Sequence, residues 1–238
     1  MNTKTSAIVL KTTKYNDNSV IVKVFTKTEG LKSYIASISK KGIRSAIFQG
    51  LNLITIETSQ HGNNKLARIK TAHIETPYKS INSDWTKGAI IQFINELLYN
   101  CIREETANID LYEFIESHLL YYDEITEFQV NFLLYFVIKM TKYLGFFPEG
   151  SWKPGLQFHL GEGNYQLHTK PSNEVIDSKY AELLYLLSIS NIGALNTIKS
   201  TGQIRRELLK SVLLYYRIHL EGFGELKSLD VLETVFSK

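Results

Sequence analysis

The hydrophobic pattern of this sequence changes its period between residues 78 and 83, and this change constrains the fold more than any other feature. Before it, runs rich in Val, Ile and Thr alternate apolar with polar residues, as β-strands do. After it, apolar residues recur every three or four positions, as in amphipathic helices. The 238 residues are enough to bury a sizeable core. We therefore expect an α+β chain, with a β domain over residues 1–78 and a helical domain over residues 79–238.

The β domain contains five short runs of strand-forming residues, separated by turn residues such as Gly30 and Gly42. Five strands in so short a segment favour a small barrel over a sandwich. The predicted strands cover residues 7–14, 20–27, 31–39, 48–58 and 65–76.

The second and third runs can be paired through a three-residue loop that sets Lys27 opposite Leu31. The valines of the second run then share one face with Tyr34, which predicts that Tyr34 belongs to the core. Phe25 lies on the opposite face, among lysines. It either stacks on a nucleic-acid base or is covered by the helices that follow.

Basic residues are concentrated in the β domain. Residues 1–78 contain 12 Lys and Arg against 4 Asp and Glu, whereas residues 79–145 contain 5 against 10 and the remainder 10 against 10. A net charge of +8 on one domain is typical of a polyanion-binding surface, and a merely solvated Lys-rich surface is the alternative. The predicted DNA-contacting residues here are Lys11, Lys14, Lys23, Lys27, Lys32, Lys40, Lys41, Arg44, Lys65, Arg68 and Lys70.

Helical periodicity dominates the rest of the chain. Cys101 lies on an apolar stripe, so we interpret it as an inert core thiol. Arg205, Arg206 and Lys210 begin the last predicted helix, where they either extend the DNA-binding surface or form a solvated helix end. The predicted helices contain residues 90–102, 111–122, 127–144, 177–189 and 202–220.

Residues 154–171 interrupt the helices with two strictly alternating segments around a glycine-rich turn. Setting Leu160 opposite Tyr165 predicts an inserted β-hairpin with one apolar face. The other face carries His159 and His168. We interpret them as ordinary polar residues, because a tetrahedral zinc site needs more ligands and no cysteine lies near them.

Recognisable catalytic motifs are absent from the sequence. It contains no phosphate-binding loop, Rossmann glycine pattern, nucleophile elbow or paired-histidine zinc helix. Its longest apolar run, residues 132–138, is far shorter than the about 20 residues of a membrane-spanning helix. The N-terminus lacks the apolar segment of a signal peptide. We expect a cytoplasmic protein that is not an enzyme and requires no cofactor, metal or membrane.

Four segments resemble, in order, segments of the RecO family of bacterial recombination mediators. They are residues 7–11 with Tyr15, 24–30, 144–148 and 224–232. The resemblance implies an N-terminal OB-fold, a five-stranded oligonucleotide-binding barrel, followed by an α-helical domain. It implies a nucleoid-associated protein that binds single- and double-stranded DNA and anneals complementary strands. It also implies cooperation with RecR, and in some bacteria RecF, to load RecA onto strands coated by single-strand-binding protein (SSB).

Two further expectations follow from the resemblance. Many RecO proteins carry a four-cysteine zinc module where this chain has its cysteine-free hairpin, so we expect no zinc and an apolar anchor in its place. The acidic SSB tail, which ends in an apolar residue, should dock on an apolar pocket with a basic rim. The candidate residues are Phe128, Leu133, Phe136, Lys139, Lys142 and Tyr143, whose aromatic members alternatively belong to the core.

Two other functional classes remain open at this point. An OB-fold scaffold could bind RNA or protein instead of DNA, because the sequence does not separate the recognition of ribose from that of deoxyribose. A metal-dependent nuclease is a third hypothesis, although the acidic residues of 79–145 are dispersed over helix surfaces.

Overall fold

The computed structural model describes residues 2–39, 42–59, 66–167 and 174–236. The chain divides into two compact units. The first comprises Met1–Ile125 with Leu226–Leu232, and the second comprises Thr126–Glu225 with Glu233–Lys238. None of the helices among the described residues is long and apolar enough to cross a membrane.

The first unit contains a closed barrel with strand order β1-β2-β3-β5-β4. The long first strand closes it, because its beginning pairs with β4 and its remainder pairs with β2. The only parallel pairing in the described barrel joins β3 to β5. This arrangement confirms the predicted five-stranded OB-fold. The strands are β1 (Asn2–Asn16), β2 (Ser19–Thr26), β3 (Gly30–Ser37), β4 (Leu53–Ser59) and β5 (Arg68–Ile74).

A β-bulge in β1 determines which lysines reach the outer surface. Val9 lies opposite Val24 and points into the barrel core, but the next paired residue is Lys11, opposite Lys23. Strict alternation from Val9 would direct Lys11 into the core. Because the bulge at Leu10 inserts one unpaired residue, Lys11 emerges instead on the outer face beside Lys23.

The predicted register of β2 and β3 is wrong by two residues. Leu31 lies opposite Phe25, and Gly30 lies opposite Thr26. The loop has three residues, as predicted, but begins one residue earlier, because the Thr26 hydroxyl donates to the Gly30 carbonyl and accepts the Glu29 N–H. Since side chains alternate with a period of two, this slip preserves both faces, and Tyr34 is in the core as predicted.

The barrel is covered on one side by α1 (Trp85–Cys101) and α2 (Ile109–Glu124). Phe25 is buried, with its ring 6.0 Å from that of Tyr112 in α2. It is therefore covered by a helix and is not a base-stacking platform. The fourth strand also begins later than predicted, because Ser45–Phe48 forms a 3₁₀ turn.

Both helices begin at capping residues. The Asp84 carboxylate accepts two N–H groups at the start of α1, and the Asn108 side chain accepts the Leu111 N–H in α2. Cys101 is buried at the end of α1, and this burial raises the pKa of its thiol. It is a core thiol, as the sequence predicted.

Buried polar contacts attach the segment before α1 to the end of α2. The Lys87 ammonium donates to the carbonyls of Tyr122 and Ile125. The Asp123 carboxylate accepts the N–H groups of residues 79–81. Burial alone would raise the pKa of Asp123, but these donors outweigh it and lower the pKa. The start of α1 is thereby held in a fixed position.

The second unit contains three helices and a small sheet. The helix predicted for residues 127–144 begins at Phe132, five residues later than predicted. The residue before it, Asn131, donates its side-chain amide to the carbonyls of Leu195 and Ile198. The sheet has the order β7-β6-β8. The elements are α3 (Phe132–Tyr143), β6 (Gln157–His159), β7 (Asn164–Gln166), β8 (Val175–Ile176), α4 (Ser178–Ile189) and α5 (Gly202–His219), and α6 (Ser228–Phe236) ends the described chain.

The inserted hairpin forms, but its predicted register is wrong. Phe158, not Leu160, lies opposite Tyr165. Leu160 instead donates its N–H to the carbonyl of Glu174, next to the third strand, which the sequence did not predict. Phe158 packs against Tyr165 and Tyr215, so an aromatic cluster anchors the hairpin.

Candidate nucleic-acid interface

Two predicted DNA-contacting lysines converge on one aromatic ring. The Lys11 and Lys23 ammonium groups lie 4.6 and 4.9 Å from the centre of the Tyr99 ring, and Lys11 also donates to the Tyr99 hydroxyl at 3.3 Å. The two lysines are neighbours on the outer face of β1 and β2, and Tyr99 projects from α1. Sequence reasoning missed Tyr99, because nothing local connects it with Lys11, 88 positions away.

This cluster, Lys11–Tyr99–Lys23, holds two positive charges close together. Among the described residues, neither lysine is within 4.0 Å of a carboxylate. The ring partly offsets the repulsion through its negative face. Neighbouring backbone phosphates, each with one negative charge, would supply one partner for each lysine, so the cluster is suited to a nucleic-acid backbone.

Two other predicted lysines are instead bound to acidic residues. Lys27 lies 3.0 Å from the Glu113 carboxylate, and Lys32 lies 4.0 Å from that of Glu105. The hydrogen bond to Glu113 is the main cause of the raised pKa of Lys27. Part of the acidic charge of residues 79–145 therefore offsets barrel lysines, which makes these two weaker candidates for phosphate contact.

The remaining predicted residues of the barrel are exposed or lie outside the described residues. Lys14 pairs with Asp17 at 2.9 Å, and Arg68 donates to the Ser37 hydroxyl at 2.8 Å. Arg44 and Lys70 are exposed. Lys40, Lys41 and Lys65 lie outside the described residues.

An exposed aromatic side chain lies near the Lys11–Tyr99–Lys23 cluster along β1. Tyr15 is 61% exposed, four residues after Lys11. An exposed ring beside exposed cations suits base stacking. The sequence contains a signal for this residue, because Tyr15 directly follows Lys14 in a strand-forming run, but Tyr15 is not among the predicted DNA-contacting residues.

The basic residues predicted on α5 are less available. Arg205 is half-buried and donates to the Ser200 carbonyl at 2.8 Å, and burial lowers its pKa. Arg206 is also half-buried. Lys210 is exposed and lies 3.9 Å from Glu207.

The residues predicted to bind the SSB tail differ in their exposure. Phe136 is completely buried and Leu133 nearly so, as members of the core. Lys139 is half-buried and donates to the Ser188 carbonyl at 2.7 Å. Phe128 and Lys142 are exposed and Tyr143 is half-buried.

The polar face of the hairpin offers no visible ligand set. The Nδ1 atom of His159 accepts the N–H of Glu162, and His168 lies outside the described residues. Within the described ranges, no three His, Cys, Asp or Glu side chains are grouped closely enough to hold a metal ion. The absence of zinc stays a prediction.

Comparison with known proteins relates both parts of the chain to one family. The family models described as "Recombination protein O N terminal" and "Recombination protein O C terminal" match residues 1–78 and 82–230. A DNA repair protein RecO from Flavobacterium psychrophilum is 38% identical, with 100% of both chains covered. Those from Christiangramia forsetii and Bacteroides fragilis are each 34% identical, with 98% of both chains covered. Because these matches span the barrel and the helical region in order, the chain belongs to the RecO family of DNA repair proteins.

Proposed function

We propose that this protein is a non-catalytic recombination mediator that binds single- and double-stranded DNA. It anneals complementary strands and, with RecR, helps to load RecA onto strands coated by SSB. Its place of action is then the nucleoid. Family membership supports the DNA-repair role. Strand annealing, cooperation with RecR and loading of RecA are what the family resemblance implies.

The Lys11–Tyr99–Lys23 cluster is the observation that carries this proposal. On the outer face of an OB-fold it presents two cations that have no carboxylate partner among the described residues, with the exposed ring of Tyr15 further along the same strand. Lysines supply the phosphate contacts, and the exposed ring supplies a stacking surface for a base. Arg44, Arg68 and Lys70 would lengthen the backbone track.

Annealing follows from the same chemistry. A surface that binds mainly phosphates leaves the base edges free to pair. It also reduces the repulsion between two strands. We therefore expect little sequence preference in binding.

The SSB tail requires a different surface of this protein. A buried phenyl ring such as that of Phe136 is not accessible to a peptide. Only the exposed members of the predicted set therefore remain candidates for contact with the tail. Phe128 supplies an apolar contact, and Lys142 supplies a positive charge for the acidic tail.

The dependence of DNA affinity on salt tests the proposal. Five or six phosphate contacts to a single strand give a slope of log K against log salt of roughly −4. An affinity that does not change with salt would contradict an electrostatic DNA-binding surface. Competition by an RNA strand of the same sequence distinguishes a DNA-repair role from the alternative of an RNA-binding scaffold, which predicts stronger displacement by RNA.

A further inference from the structure

A polar pocket in the first unit lies beside the proposed DNA-binding surface. Its volume is about 710 Å³, and it is lined by the turn after the 3₁₀ segment, the residues preceding α1 and one face of α1. Trp85, at the first position of α1, lines the pocket and is 66% exposed. An exposed indole at the edge of a pocket offers a ring face on which a planar group can stack.

The pocket has the chemistry of a site for a neutral planar group. Among its lining residues there is no Lys, Arg or His, so it does not suit a phosphate. Its one carboxylate, Asp84, is already engaged as the N-cap of α1. The remaining polar lining comes mostly from amides, namely Gln49, Asn82, Gln92 and Asn95. Amides both donate and accept, as the edge of a nucleobase does.

Asn95 supplies a specific unsatisfied group. Its amide oxygen is buried and has no hydrogen-bond partner in the described part of the chain. The Asn95 amide packs this closely against residue 50 because that residue is a glycine. A β-carbon on residue 50 would lie 2.9 Å from the Asn95 amide nitrogen. A buried acceptor without a partner is unfavourable, and a donor on a bound base would satisfy it.

The same face of α1 connects the pocket to the Lys11–Tyr99–Lys23 cluster. Gln92 and Asn95 line the pocket, and Tyr99 follows Asn95 by one helical turn. Because residues spaced by three, four and seven positions share a helix face, Tyr99 continues the stripe that lines the pocket. From Asn95 to Tyr99 the rise along the helix is about 6 Å. A strand whose phosphate lies at the cluster could therefore place a neighbouring base in the pocket.

We propose that this pocket captures unpaired nucleobases of a bound single strand: one base stacks on Trp85, and a base nearer the Lys11–Tyr99–Lys23 cluster hydrogen-bonds to Asn95. The inference rests on the proposed function, because the lysine cluster holds the phosphates of the same strand. A base that is paired in a duplex is not available to enter the pocket. The site would thus favour single-stranded over double-stranded DNA.

The test compares an oligothymidylate of about 16 nucleotides with an abasic strand of the same length and charge. The unchanged protein should bind the base-containing strand at least fivefold more tightly, because stacking of one base is worth about 1 kcal/mol or more. Trp85→Ala should remove most of that difference, leaving only the share that stacking on Tyr15 contributes, and should leave the affinity for the abasic strand unchanged. Trp85→Phe should retain most of the difference, and Asn95→Ala should reduce it.

Fluorescence gives a second readout. The chain has two tryptophans, so a Trp152→Phe background leaves Trp85 as the only one. Its emission should be quenched by the base-containing strand and not by the abasic strand. Equal affinity of the unchanged protein for both strands, or a Trp85→Ala protein that prefers bases as strongly as the unchanged protein does, would overturn the pocket assignment while DNA binding stands. Failure to bind either strand would overturn the proposed function as well.

Discussion

Replacing Lys11 and Lys23 together by Gln lowers the affinity for single-stranded DNA about 20-fold at about 0.1 M salt. The physical reason is the loss of two phosphate contacts and of the counterions that they release. The slope of log K against log salt should become less steep by about 1.4, since each contact to a single strand contributes about 0.7. A salt titration of both proteins, with equal melting temperatures as the check on folding, measures this effect.

The matched control removes the same amount of positive charge from two barrel lysines that already have acidic partners. Lys27→Gln with Lys32→Gln also deletes two lysines, but both are close to carboxylates, those of Glu113 and Glu105. We expect a much smaller loss of DNA affinity from this pair. An equal loss in the two double variants would show that net charge, and not the Lys11–Tyr99–Lys23 cluster, determines binding.

Replacing Phe158 by Ala destabilises the second unit by about 3–5 kcal/mol. Phe158 is completely buried, and its ring lies 5.1 Å from that of Tyr165 and 5.3 Å from that of Tyr215. Tyr215 in turn donates its hydroxyl to the Phe146 carbonyl. The loss of packing around Tyr215 should therefore also destabilise the segment that follows α3. Thermal unfolding followed by circular dichroism should show a decrease in melting temperature of about 6 °C or more.

Leu167→Ala, on the same hairpin, is the control for this prediction. Leu167 is 76% exposed, so its removal should change the free energy of unfolding by less than about 0.5 kcal/mol. A chelator should not change the melting temperature of the unsubstituted protein, because the anchor is aromatic packing. A metal-anchored hairpin would instead melt at a lower temperature after chelation. Similar stability of the Phe158→Ala and unsubstituted proteins would show that the aromatic cluster is not the anchor.

Sequence periodicity predicts the elements and their faces better than their registers. In both hairpins the predicted register differs from the structure by two residues, at Leu31 and at Tyr165. A slip of two leaves the alternation intact, so Tyr34 and Phe158 lie in the core as predicted even though their partners differ, whereas Leu167, predicted on the apolar face of the hairpin, is exposed. The register itself depends on turn hydrogen bonds, such as that of the Thr26 hydroxyl, which no apolar pattern reveals.

The candidate site was only partly predictable for a related reason. The lysine-rich outer face of the second strand follows from alternation, but the outward position of Lys11 depends on the bulge at Leu10. The ion pairs of Lys27 and Lys32 and the ring of Tyr99 come from residues more than 70 positions away. The charge of a segment can therefore be calculated from sequence, whereas the cations that remain available to DNA depend on tertiary structure.

Annealing of complementary oligonucleotides coated with SSB is the most direct measurement of mediator function. The assay requires DNA binding, tolerance of SSB and pairing of strands in a single reaction. We expect the protein to accelerate annealing of the coated strands, and the Lys11→Gln, Lys23→Gln variant to accelerate it much less. Annealing at the same rate with and without the protein would contradict its role as a recombination mediator.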